Sequence, residues 1–171
     1  MKILGISGGM RNGSNDGMCI EALMGAKEMG AEVEFIQLQN LHIEHCTGCT
    51  ACVQSVLGGR GGKCVLKDDF DWLLDKMLDA GLLDEAKLVY DHRQTYRTAA
   101  QAIGYKEFFS YFEGTAPLDA CTEKLKQASR NYAKRQLTWF RHMDGVVWLD
   151  ASAPDVTARA VQLTREFLAK G

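Results

Sequence analysis

The first strand-like signal is "KILGIS", an almost unbroken apolar run that stops at glycine and reads as a strand buried in a parallel sheet. The polar, small-residue stretch "GGMRNGSNDGM" follows as a loop. "MCIEALMGAKEMGA" then predicts a helix with Cys19, Leu23, Ala26 and Met29 inward, and "EVEFIQL" a second strand. Together they make a β-loop-α-β unit whose loop sits at a helix N-terminus. Free backbone N–H groups and the helix dipole favour anions there. "DDFDWLLDKMLDA" predicts a helix that Gly81 can close, and "GLLDEAKLVYDH" another, with Leu82, Leu83, Ala86, Val89 and Tyr90 on or near one face. "AAQAIGYKEFFSYFEG" reads as a helix ended by Gly114. Pro117 opens the long helix "PLDACTEKLKQASRNYAKRQLTWFRH", whose seam is Leu118, Cys121, Leu125, Ala128 and Tyr132. "GVVWLD", residues 145–150, predicts a short strand, and "PDVTARAVQLTREFLAKG", residues 154–171, a closing amphipathic helix.

At 171 residues the chain can bury one good core or two small ones, and its 46% hydrophobic content is that of a globular protein. No apolar run approaches the ~20 residues that span a bilayer. The first strand lacks a secretory pattern, since Gly8, Gly9 and Arg11 follow it directly. The expectation is a cytoplasmic protein with no membrane partner. Charge divides unevenly. Residues 1–80 carry 7 Lys and Arg against 11 Asp and Glu, whereas residues 81–171 carry 13 against 11.

Three stretches carry candidate chemistry. The first loop is neither a P-loop nor G-x-G-x-x-G, because no Lys stands at the helix start. It offers Arg11, Gly13, Ser14 and Asn15, which suit a single phosphate monoester such as that of FMN; a plain β-α turn is the alternative. Asp16 adds an unfavourable charge beside such a phosphate. The second stretch is "CTGCTACVQSVLGGRGGKC". Cys46, Cys49 and Cys52 are spaced C-x2-C-x2-C, with Cys64 further on. Three thiolates so spaced, and a fourth from nearby, can hold a 4Fe–4S cluster. Zinc and free loop cysteines are the alternatives. The third is the long helix, where Lys124, Lys126, Arg130, Lys134, Arg135 and Arg141 fall within eighteen residues against one acidic residue, Glu123. Tyr132, Gln136 and Trp139 are interleaved. Cations neutralise phosphates, while amides and aromatic rings read or stack on bases. A solvated helix face is the competing explanation.

"MKILGISGGMRNGSN" followed by "CTGCTAC…GKCVLKDDFDWLLDKMLDA" resembles the NADPH-dependent FMN reductases and iron–sulfur flavoproteins of flavodoxin-like fold, over residues 1 to about 80. Arg11, Gly13, Ser14 and Asn15 match that family's loop; Gly9, Met10 and Asp16 depart from it. "GLLDEAKLVYD", "AAQAIGYKEFFSYFEG" and "RNYAKRQLTWFRHMDGVVWLD" resemble the C-terminal part of a tRNA dimethylallyltransferase, over about residues 79 to 151. That resemblance implies tRNA contacts at Gln101, Ala102, Ile103, Gly104, Tyr105 and Lys106 and along Lys134 to Arg141.

The two resemblances imply an α/β chain: a truncated flavodoxin-like β-α-β unit, residues 1–80, followed by a mostly α-helical segment with one short strand, residues 81–171. They meet at "MLDAGLLDEAK", where both families place a helix, so the chain reads as a fusion of two truncated parts. The flavodoxin-like part lacks the central strand that would close its sheet, and an oligomer could complete it. The transferase part lacks a P-loop and the family's general base, so no catalytic residue is assigned. The expected cofactors are weakly bound FMN and a 4Fe–4S cluster, and the expected partner is tRNA.

Overall fold

The computed structural model describes residues 1–59, 62–150 and 153–169. Strand β1 (Lys2–Ser7) and strand β2 (Glu32–Gln37) run parallel, in register from Lys2 opposite Glu32 to Ser7 opposite Gln37. Helix α1 (Ser14–Glu28) crosses between them. It packs so closely on β1 that a Cβ on Gly5 would stand 2.7 Å from both Cys19 Sγ and Leu23 Cδ1. Glycine is favoured there by contact rather than by backbone angle, since any Cβ would push those two side chains aside. Leu23 is buried as expected, but Met29 is almost wholly exposed, because α1 ends at Glu28 and Gly30 turns the chain at φ +86°.

The Cys-rich stretch contains a short helix, α2 (Ala51–Leu57), that its spacing does not announce; Arg60 and Gly61 of this insertion lie outside the described residues. Helix α3 (Phe70–Asp79) and helix α4 (Leu82–Asp91) are joined through Ala80 and Gly81. Gly81 adopts φ +108°, and its N–H donates to the Leu78 carbonyl at 3.0 Å, so it closes α3 as expected. The predicted helix over "AAQAIGYKEFFSYFEG" is corrected. Residues Ala99–Gln101 and Lys106–Phe108 form 3₁₀ turns, and only Phe109–Phe112, helix α5, is α-helical. The break lies at Gly104, held at φ +110°, where its N–H donates to Glu107 Oε2 at 2.9 Å. Helix α6 (Leu118–Arg141) follows Pro117, and α7 is Val156–Leu168. Residues 170 and 171 of the predicted closing helix lie outside the described residues.

The predicted strand at 145–150 is also corrected. The sheet of the described residues has two strands only, and no strand geometry is found there. A strand is stabilised by a ladder partner, and an apolar sequence does not supply one. The architecture is therefore mostly helical α/β, with two parallel strands followed by six helices after α1 among the described residues.

The chain forms two compact units, Met1–Leu137 and Thr138–Gly171. The first has one core made from both sides of the α3–α4 turn: Ile36, Phe70, Leu73 and Leu74 with Leu82, Ala86, Phe108, Cys121 and Leu125. Phe108, Ala86 and Cys121 are fully buried. The compact unit thus runs through residue 80, the boundary that the two resemblances imply. In the second unit, α7 buries no residue, and Val146, Val147, Trp148 and Leu149 are exposed.

Candidate functional site

Four places carry the predicted residues. In the β1–α1 loop, Gly13 precedes α1, Ser14 and Asn15 stand in its first turn, and Asn12 adopts φ +56°. The loop is organised around Asp16, which is buried. Its carboxylate accepts from the Ser7 hydroxyl, from Asn12 N–H at 2.7 Å and from Gln37 Nε2 at 2.8 Å. The Ser7 hydrogen bond, with those from Gln37 and Asn12, holds its pKa below the ordinary carboxylate value. Arg11 donates to the Gln39 carbonyl at 3.0 Å. Arg11 is thus engaged by the turn that follows β2, and the loop's own carboxylate takes the Asn12 N–H that a phosphate monoester could use. FMN does not fit this arrangement well. Asp16 appears in the sequence as a mere charge penalty; its pairing with Gln37, 21 positions away, has no local signal.

In the cysteine stretch, Cys49 is exposed, Cys46, Cys52 and Cys64 are half-buried, and all are free thiols. Among the described residues no three His, Cys, Asp or Glu side chains gather to hold a metal ion. C-x2-C-x2-C spacing permits convergence on a 4Fe–4S cluster, but the described residues gather no such ligand set, and the segment is tied to its surroundings by other contacts. Gln127 Nε2 lies 2.9 Å from Cys52 Sγ. Cys64 N–H donates to Glu123 Oε2 at 3.4 Å, and Cys46 N–H to the Arg130 carbonyl at 3.3 Å. The Ala51 N–H, and then the Thr47 hydroxyl, hold the Cys49 thiol below its ordinary pKa.

Those contacts come from α6, the predicted nucleic-acid helix, and they divide its basic residues. Arg130 is only 4% exposed. Its Nη1 and Nη2 meet the two oxygens of Asp68 at 2.6 and 2.7 Å, and Nη1 also donates to the Glu44 carbonyl at 2.7 Å. Its guanidinium lies 5.2 Å from the centre of the Phe70 ring. Asp68 in turn accepts from the Glu44 and Phe70 N–H groups. The Arg130 guanidinium holds the Asp68 carboxyl far below the usual carboxylate range. The Arg130 Nε is buried without a partner, so no edge of this guanidinium is accessible to phosphate, and Arg130 is removed from the predicted nucleic-acid face. Lys126 is likewise paired, with Asp71 at 2.7 Å and Glu123 at 2.8 Å. Lys134 Nζ comes within 2.6 Å of where a Cβ on Gly48 would stand, so Gly48 is small where the lysine crosses it.

Beyond these anchors α6 is open. Tyr132, Arg135 and Gln136 are exposed, with the Arg135 guanidinium 5.9 Å from the Tyr132 ring centre. Trp139 and Arg141 further along the same helix are exposed as well. Tyr132, Arg135 and Gln136, all in the first unit, recur at i, i+3 and i+4, so they share one face of α6. The remaining predicted contacts form a turn. Gln101 and Lys106 are exposed, and Lys106 Nζ donates to the Gln101 carbonyl at 3.0 Å. Ala102, Ile103, Gly104 and Tyr105 between them are half-buried. Burial, and then Glu85, raises the Tyr105 pKa.

A family model described as IPP transferase matches residues 32–143. That span begins within β2, well upstream of residue 79, where the wording resemblance begins. The chain is 58% identical over 98 residues to the tRNA dimethylallyltransferase of Lactobacillus gasseri, covering 57% of this chain and 32% of that protein. A solved structure titled tRNA Δ2-isopentenylpyrophosphate transferase, from Staphylococcus epidermidis, is 25% identical, with a TM-score of 0.46; it covers 88% of this chain and 43% of that one. A solved flavone reductase is 74% identical over part of the chain, covering 47% of this chain and 21% of that one, with a TM-score of 0.34. The chain spans about a third of the length of its similar curated relative. No helix among the described residues is long and apolar enough to cross a membrane.

Proposed function

The chain belongs to the IPP transferase family, and we propose that it is a tRNA-binding protein of the tRNA-modification type that does not prenylate tRNA by its own residues. The observation that carries this reading is the exposed face of α6 in the first unit, where Arg135 and Gln136 stand with the open ring of Tyr132. Arginine neutralises phosphate and releases counterions, while exposed rings offer stacking worth about 1–3 kcal/mol per base. The turn from Gln101 to Lys106 and the cations Lys134 and Arg141 extend the proposed contact. Residues 81–171 are read as the helical C-terminal segment of the transferase type. Prenyl transfer needs a clamp for the departing pyrophosphate, and this chain contains no G-x-x-x-x-G-K-[ST] turn to supply one.

The test is a tRNA mobility-shift titration at several salt concentrations. Arg135→Ala is expected to weaken binding at every salt and to lower the log–log slope by about 0.7–0.9. Trp139→Ala is expected to weaken binding while leaving the slope unchanged. Incubation with dimethylallyl diphosphate and unmodified tRNA, followed by nucleoside mass spectrometry, is expected to give no prenyl-adenosine. Absence of any shift at low salt would leave a compact chimera without inherited activity as the better account.

A second reading, a flavin-type redox segment over residues 1–80, is favoured by the parallel β1–α1–β2 unit with its loop at a helix start. Arg11, Gly13, Ser14 and Asn15 would then meet the FMN phosphate, and Asp16 would keep that binding weak.

A further inference from the structure

Strand β1 has β2 on one side and, among the described residues, no strand on the other. That open side is a groove. A cavity of about 580 Å³ runs along it, lined by Ile3, Leu4, Met77, Ala80, Leu82 and Glu85 among others. The two faces of β1 are both covered. Gly5 faces Cys19 and Leu23 of α1, while Leu4 and Ile6, one position either side of Gly5, pack against the core that includes α3. A strand added beside β1 therefore enters a layer with helices above and below. Such a strand must be apolar on both faces, since alternating polar residues would be buried without partners.

The second unit holds a segment of that kind. Val146, Val147, Trp148 and Leu149 form an unbroken apolar run with strand-forming side chains. In this structure the run belongs to no strand, and its residues are 37%, 60%, 55% and 38% exposed. Four consecutive exposed apolar residues are costly in water and mark an interaction site. The segment 145–150 has the same six-residue length as β1.

We propose that the Val146–Leu149 run of a second copy of this chain adds to the free edge of β1, so that two copies exchange strands. Each copy then supplies both halves of the pairing: an edge with no strand beside it among the described residues, and an apolar run that belongs to no ladder there. Reciprocal exchange is isologous and closes as a two-fold dimer. Trp148 alone can bury about 150–250 Å². Two strands, each covered on both faces, bring the contact to roughly the 1,000 Å² at which specific interfaces begin.

Size-exclusion chromatography with light scattering tests this over roughly a hundredfold range of concentration, since a dimer follows mass action. Wild-type protein is expected to pass from monomer to dimer. Val147→Asp should be monomeric throughout with an unchanged far-UV circular dichroism spectrum, because this side chain is largely exposed. A fluorescein-labelled synthetic peptide of sequence DGVVWLD should bind the Val147→Asp monomer. It should not bind the same protein carrying Ala80→Trp, which fills the groove from its wall. The peptide arm also covers the case in which Ala80→Trp alters the fold, since a peptide with VDWL in place of VVWL should fail on the unaltered groove. A wild-type monomer at all concentrations, a dimer that survives Val147→Asp, or equal binding of both peptides would each overturn the proposal.

Discussion

Replacing Arg130 by methionine removes the positive half of the Asp68 pair and leaves the carboxylate behind. Both side chains are buried, 4% exposed for Arg130 and 0% for Asp68, and the pair is bidentate at 2.6 and 2.7 Å. An exposed ion pair would be worth about 0–1 kcal/mol, but stranding one member of a buried pair costs about 3–5 kcal/mol. Asp68 keeps the Glu44 and Phe70 N–H groups as donors, which places Arg130→Met toward the lower part of that range. At about 2–4 °C per kcal/mol for a chain of this size, a loss of about 3–4 kcal/mol should lower the melting temperature by roughly 6–16 °C. Urea unfolding followed by circular dichroism measures the same loss as a lower midpoint. The coupling is the decisive part. Asp68→Leu combined with Arg130→Met removes both charges, so the double variant should be more stable than the sum of the single losses requires. The pH dependence has a definite sign. Asp68 has a depressed pKa in the folded state, so its contribution is present above the unfolded carboxylate pKa of about 3.9 and is lost as pH falls below it. The wild type should therefore lose stability on acidification more steeply than Asp68→Leu. An unchanged midpoint for Arg130→Met, or strictly additive losses in the double variant, would refute the reasoning.

Three more outcomes follow from side-chain surroundings. Limited iodoacetamide treatment at neutral pH, read by peptide mass spectrometry, should label Cys49 first and Cys121 last, because one thiol is exposed with a lowered pKa and the other fully buried. Asp16→Thr should bind FMN and inorganic phosphate more tightly than wild type in equilibrium dialysis, since it releases the Asn12 N–H from an internal carboxylate. Phe108→Ala should cost about 3–5 kcal/mol in chemical denaturation, because this ring is fully buried in the core shared by both halves.

What could be read from the sequence was what is decided locally. The α3–α4 turn was legible because an apolar periodicity stops at a glycine, and Gly81 then takes the positive φ it alone adopts without strain. The Pro117 start of α6 and its Leu118–Cys121–Leu125 seam were legible for the same reason. Two readings turned on patterns that need a distant partner. "GVVWLD" has strand residues, but no strand pairs with it among the described residues. The cysteine spacing allows a cluster, but Gln127, 75 positions away, lies against Cys52. The broken helix over residues 99–112 is a miss of another kind. Gly104 was visible, yet a glycine inside a helical pattern breaks it only when a neighbour such as Glu107 caps the turn. In the candidate site, exposure of the aromatic and basic positions of α6 could not be read from periodicity. Tyr132 continues the same seam as the buried Leu125, but is 48% exposed.

That change of environment along one helix explains why the first unit runs through the junction of the two resemblances. Up to Lys134, α6 is tied to the segment between Cys46 and Asp71: Glu123 to the Cys64 backbone, Lys126 to Asp71, Gln127 to Cys52 and Arg130 to Asp68. These links are polar and directional, whereas the core below them is apolar and tolerant of shape. Hydrophobic burial can hold two helical layers together without fixing their register, because it depends on area rather than direction. A bidentate guanidinium fixes it, since both nitrogens must meet both oxygens. The cysteine-rich segment, whose spacing pointed to metal chemistry, thereby acts as the seat of α6. Its anchored residues are those whose charges are consumed. The residues left over, Arg135 and Gln136 with Tyr132, are the ones free to meet a partner from the first unit.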